Sequence, residues 1–175
     1  MGVLHPESQN QPESPEGMGA RTPWYSNGVR FQCLPECGKC CDQPGGVVFL
    51  AKHDAQRLAN HHNMEVQDWL DRDCTRSQNG RYVLRSREHD GVCIYLNEDK
   101  TCGVYEAKPD QCSAFPWWNE NMVSTRAWHK TVQLCPGLRQ PEAEVIPLPV
   151  IQGHLDKDRV AEKGFRNWTK TVERA

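Results

Sequence analysis

The stretch CLPECGKCC at residues 33–41 places Cys33, Cys37, Cys40 and Cys41 within nine positions. Thiols at that density pair as disulfides, hold metal, or sit inert in a core. The chain carries nine cysteines, an odd number. The adjacent Cys40 and Cys41 could join only through a strained ring, and the opening residues lack the basic and apolar regions of an export signal, so a disulfide framework is not expected. Inert cysteines are common singly but do not gather this way. Metal binding fits. In Cys37-Gly38-Lys39-Cys40 two thiolates can reach one ion, and Gly38 can take the backbone conformation that turns amides toward sulfur.

Such a pair is half a tetrahedral site, and the other half must come from a distant part of the chain. Cys93, Cys102 and Cys112 follow at intervals of eight and nine intervening residues, then Cys135 in Cys-Pro-Gly. Leaving Cys74 aside, four upstream and four downstream thiols suffice for two four-thiolate sites, or for one cluster and a second ion. Other uses of the run fail on spacing or context. Cys33, Cys37 and Cys40 have the C-x3-C-x2-C spacing of radical SAM enzymes, but Lys39 stands where an aromatic is usual. The chain is also too short for the barrel and has no glycine-rich SAM-binding stretch. Neither ferredoxin spacing matches. A thioredoxin-like C-x-x-C needs a preceding strand, which Pro35-Glu36 does not offer.

These cysteines must be positioned by short elements. GGVVFL at 45–50 reads as a buried strand. Ala55, Leu58 and Ala59, then Val66, Trp69 and Leu70, recur at helical spacing and predict two short helices, over 52–61 and from 66 toward Cys74. Asn79-Gly80 is a turn signal before the alternating RYVLRS. Residues 92–96 and 101–105 flank NEDK as a hairpin whose adjacent strands would bring Cys93 and Cys102 close together, and Pro109 suits the first turn of a helix carrying Cys112. The prolines of RQPEAEVIPLPVIQG argue against long regular structure there, and 156–172 reads as a polar terminal helix.

The runs CLPECGKCC, CIYL, TCGVYEAKPDQCSAFPWW and CPG together resemble the CxxCxxCC-type cysteine-cluster family of bacterial proteins, described as zinc- or iron-chelating. The likeness spans about residues 31–137. By position, Cys33, Cys37, Cys40, Cys41, Cys93, Cys102, Cys112 and Cys135 match the family's cysteines, and Cys74 has no counterpart. Lys108 stands before Pro109 where the family usually has arginine, which removes a bidentate contact but no thiol. The resemblance implies a binding chemistry and no reaction. Four thiolates suit zinc and iron alike, so the cofactor is zinc or iron, with an iron-sulfur cluster as one form.

Remaining features are read conservatively. Phe115, Trp117, Trp118 and Trp128 are expected to shield a metal from water rather than stack on a ligand. His53, His61, His62, His89 and His129 are expected at the surface. The arginines at 72, 76, 81, 85 and 87 are interrupted by acids in a chain of net charge −2, so nucleic acid is not the expected partner. No stretch is apolar enough to span a membrane. The expected protein is α+β: a small metal-stabilised domain at 25–140 with short helices and a β-hairpin. A disordered tail at 1–24 and an extension at 141–175 flank it. It is expected in the cytoplasm, with a metal ion as partner and no assigned catalytic residues. The alternatives are an iron-sulfur redox or sensing protein and a zinc-stabilised adaptor for protein or nucleic acid.

Overall fold

The structure, a computed structural model, describes residues 22–169. The expected tail falls outside the described residues up to position 21, as does the chain end from 170. Within the described part of that tail, Trp24 stacks obliquely near Trp128, with ring centroids 5.2 Å apart, and donates its indole N–H to the Met122 carbonyl.

Two antiparallel pairs and a set of short helices form an α+β domain. Strand β1 (Val29–Arg30) pairs with β4 (Val145–Ile146), Val29 opposite Ile146. Strand β2 (Cys74–Arg76) pairs with β3 (Tyr82–Leu84) as a hairpin across Asn79-Gly80, where Gly80 has φ +78°. Helices α1 (Lys52–His61) and α2 (Val66–Asp73) lie where apolar spacing places them, with Ala55, Leu58, Ala59, Val66, Trp69 and Leu70 buried. The first turn of α1 is closed by Asp54, whose carboxylate accepts the Ala51 N–H at 2.9 Å. Helix α3 (Asp110–Ala114) follows Pro109 and carries Cys112. Then come α4 (Asn119–Met122), α5 (Thr125–Leu134) and α6 (Leu148–Lys163). Ser124 caps α5 by accepting the Ala127 N–H at 3.1 Å.

The helices and strands enclose two apolar clusters. One joins α1, α2 and the β2–β3 hairpin around Leu50, Leu58, Trp69, Leu70, Tyr82 and Leu84. The other stacks Trp117 on Trp128 against Ile151 and Leu155 of α6. Between them, residues 31–51 and 85–104 carry isolated bridges and turns but neither helix nor strand.

Three local expectations are corrected. In the run 45–50, pairing is confined to the Phe49–Val83 bridge, because the Gly45-Gly46 turn consumes its start. Cys93 and Cys102 are not strand partners: Cys93 bridges Ser86, and Cys102 bridges Leu96 across the Asn97–Lys100 turn. Helix α6 begins at Leu148, inside the proline-rich segment, and ends at Lys163, capped by Gly164 (φ +56°), nine residues before the expected end. Pro147 and Pro149 fall at the helix start, where backbone N–H groups have no intrahelical partner, so they favour the helix instead of breaking it.

Candidate metal centre

The four upstream cysteines lie in a segment without regular structure, and backbone contacts stitch it to three downstream segments. Gly38 has φ +55°, and a Cβ there would meet the Lys100 carbonyl oxygen at 2.8 Å, so glycine lets the turn seat directly on the 96–100 loop. The N–H groups of Cys41 and Asp42 both donate to the Gly38 carbonyl, each at 2.9 Å, tightening that turn. Cys93 N–H donates to the Cys41 carbonyl (3.3 Å), Gly45 N–H to Gly91, and Lys100 pairs with Asp42 at 3.1 Å. At the other end, Gln32 N–H donates to Gly137 O (3.1 Å). A Cβ on Gly137 would lie 2.3 Å from the Gln32 oxygen, so only glycine allows the Cys-Pro-Gly turn to come so near Cys33.

Cys40 lies at the centre of the electrostatic links among the matched thiols. Cys33, Cys93, Cys102, Cys112 and Cys135 each feel its charge, and Cys37 is linked to the group through Cys33 and Cys135. The Cys40 and Cys41 sulfurs are 3.7 Å apart. Either sulfur of that pair can donate to the other. Contact with Cys41 brings Cys40 and Cys93 down to about 7, and contact with those two thiols drives Cys41 far up. Burial raises Cys33, Cys102, Cys112 and Cys135, and neighbouring thiolates add to the rise. Cys74 stands apart. Buried in β2, it is pushed up to about 12 by desolvation, then by Asp73, and no thiol acts on it. Among the described residues no three sulfurs lie within 4.8 Å of one another, so clasping an ion, which brings sulfurs to about 4 Å, would draw them together.

The donor set fits a thiolate-loving ion. The backbone N–H groups of Tyr95, Val104 and Gly137, each two residues past a cysteine, favour the thiolate forms of Cys93, Cys102 and Cys135, while the Leu96 and Leu138 N–H groups close turns on the Cys93 and Cys135 carbonyls at 3.1 Å. Amides two residues on from a cysteine stabilise a thiolate without competing for the metal. Lys108 adds a positive charge that lowers Cys33, Cys40 and Cys102, so the side chain that stands in the arginine position keeps an electrostatic part.

Cys112 is fixed by residues that spacing did not single out. Gln111 is buried; its side-chain oxygen accepts the Phe49 N–H at 2.7 Å, its amide donates to Asp158 at 3.0 Å, and its carbonyl accepts the Trp118 indole N–H at 2.7 Å. On the other side Asp54, fully buried, accepts the Asp110 N–H (3.0 Å) and an Arg57 bond (2.7 Å), while Arg57 also reaches the Lys108 carbonyl at 2.9 Å. His53, Asp54 and Asp110 bring ligand atoms within 4.8 Å of one another, but the Arg57 guanidinium already neutralises the two carboxylates there. That group is a latch between α1 and α3. His53 is exposed, as expected, whereas His62 is half-buried against the Tyr95 ring. Phe115 and Trp118 do flank the thiols, while Trp117 and Trp128 belong to the second apolar cluster.

An α+β frame presenting a thiol-only cluster from irregular loops defines a cysteine-cluster chelating domain. The chain belongs to the CxxCxxCC family, "Putative zinc- or iron-chelating domain", whose family model matches residues 32–136, more than half of the chain. No solved structure matches the chain significantly. Among the described residues no helix is long and apolar enough to cross a membrane.

Proposed function

We propose that Cys33, Cys37, Cys40, Cys41, Cys93, Cys102, Cys112 and Cys135 hold zinc or iron, and that the metal organises the loop lobe of a cytoplasmic domain. The observation that carries this reading is the coincidence of two facts. The two long irregular segments, 31–51 and 85–104, contain six of the eight thiols, and the backbone joins them at Cys41 and Cys93, while the ninth cysteine, Cys74, is buried in β2 with no thiol acting on it. Irregular loops beyond about 12–15 residues are uncommon in compact domains unless something other than a ladder holds them. Metal held by thiolates from both loops supplies that restraint, at about 10–16 kcal/mol for a structural zinc. Eight thiolates serve two four-thiolate ions, or one iron-sulfur cluster and an ion.

Anaerobic purification followed by metal analysis and a visible spectrum tests the reading. Zinc protein is colourless, and a brown protein with thiolate-to-iron bands makes the centre iron-sulfur, with a redox or sensing role. Cys40→Ser is expected to lower metal content and Cys74→Ser to leave it unchanged. Equal losses from the two would refute the ligand set.

A further inference from the structure

The eight thiols are not sealed on all sides. Cys40, Cys41, Cys93 and Cys112 form one wall of a cavity of about 350 Å³, whose other walls include Phe49, Phe115, Trp118 and Leu134. That volume is in the range of small-ligand pockets, about 300–1,000 Å³. A centre serving as a staple alone needs no such space beside it, since a closed structural site has every position taken by protein.

The walls narrow the chemistry of an occupant. Asp158, Glu120 and Glu162 line the end formed by α4 and α6. Asp158 is buried with its carboxylate held by neutral amides, from Gln111 and from Asn119 (N–H at 2.7 Å and Nδ2 at 2.8 Å), so no cation offsets its charge directly. Glu162 is raised by burial, then by Asp158 and Glu120, with Arg81 acting in the opposite sense, so the three carboxylates share one negative region. Arg85 lines the cavity too; held by the neutral Cys74 and Asp71 carbonyls, it keeps one positive charge against the three carboxylates, so the lining stays net negative. Of the aromatic rings, Phe49 already carries the Arg81 guanidinium 4.0 Å from its centroid. Phe115 and Trp118 pack edge to face at 5.1 Å, and the Trp118 indole is anchored to the Gln111 carbonyl, so this corner is set before anything binds.

We propose that this cavity binds a small organic cation with an apolar body, seated on Phe115 and Trp118 with its charge toward Glu120 and Glu162, against the open face of the thiol centre. This rests on the metal-centre reading for what lies at the inner wall, but the carboxylates and aromatics that would recognise the ligand are separate from the thiols. The test uses the metal-loaded full chain titrated with benzylammonium, benzyl alcohol and benzoate, which share a ring and differ in charge, with the Trp118 indole N–H signal followed by NMR and metal content measured in every sample. Benzylammonium is expected to bind about tenfold tighter than the alcohol, benzoate weaker than both, and Glu120→Gln/Glu162→Gln to bring the cation's preference below about twofold. Both glutamates are exposed, so the double variant folds. Equal binding of cation and alcohol, a preference that survives the double substitution, or a Trp118 signal that does not move would overturn the cavity proposal. A preparation without bound metal overturns the metal reading instead, and the charge series on that preparation still decides the cavity.

Discussion

Gln111→Leu is the sharpest test of how the centre is held. The substitution keeps side-chain volume nearly constant and removes two hydrogen bonds. The Phe49 N–H loses its acceptor, but Phe49 lines the cavity and is half-buried, so water can replace part of the bond, and the cost is near the low end of the range, about 1 kcal/mol. Asp158 loses one of three charge-assisted bonds while keeping both from Asn119. It is 1 % exposed, so water does not help, and that loss costs about 1.5–3 kcal/mol. The apolar gain of leucine returns about 1 kcal/mol. The net destabilisation is therefore about 1.5–3 kcal/mol, or about 3–12 °C in melting temperature for a chain of this length. Circular dichroism melts of metal-loaded protein read it directly. Metal affinity should weaken too, because the same side chain locks the helix turn that presents Cys112. A shift under about 2 °C with unchanged affinity would show that Gln111 is incidental and that Cys112 is positioned by other contacts.

Other outcomes follow from the same geometry. Gly38→Ala should lower metal content and stability together, by about 1–3 kcal/mol, because it combines a positive φ with a 2.8 Å approach to Lys100; chelator titration beside a thermal melt reads both. Ser124→Ala, a cap remote from the thiols, should cost about 1 kcal/mol in a denaturant melt with metal content unchanged. Asp73 is opposed by burial, but hydrogen bonds from Arg72 and Tyr95 outweigh it and hold its carboxyl below the usual range. Its stabilisation is thus complete above the unfolded carboxyl value of about 3.9 and is lost as pH falls through the lower folded value. Asp73→Asn should flatten that acid limb of the stability profile, and an unaltered limb would remove Asp73 as its source.

The thiol pattern and the two amphipathic helices were legible because each rests on local spacing. The Asn79-Gly80 turn and the helix after Pro109 were legible for the same reason: their chemistry is contained in two or three adjacent residues. Helix α6 was misplaced because proline carries opposite meanings at the start and in the middle of a helix, and only the position of the first turn decides between them. Gln111, Asp54 and Asp158 were invisible because each acts through a partner 39 to 62 positions away, and nothing in a single sequence ties Phe49 to Gln111 or Gln111 to Asp158. The strands expected around NEDK did not form for a related reason. NEDK does turn the chain, but the turn closes on the single Leu96–Cys102 bridge, and Cys93, three residues before Leu96, bridges Ser86 and donates its N–H to the upstream loop at Cys41 instead.

The absence of helix and strand around most of the thiols has a physical reason in the proposed chemistry. Four thiolates on a divalent ion leave a net charge of −2, and that charge must be met by nearby dipoles or cations if it is to stay half-buried. Lys108 is one such cation. The remaining compensation comes from backbone N–H groups, those after Cys93, Cys102 and Cys135 among them. Each main-chain N–H is a single donor, so one aimed at sulfur is not available for a helix or a ladder. A loop lobe poor in regular structure, which leaves N–H groups free to face sulfur, is therefore what a thiolate centre asks of its backbone. The clusters built on α1, α2, α5 and α6 provide the apolar burial that such loops cannot. Cys112 and Cys135 show the boundary between the two regimes. Cys112 lies on a single helical turn and Cys135 at the C-terminal end of α5, so the frame delivers these two sulfurs and the loops bring the other six to meet them.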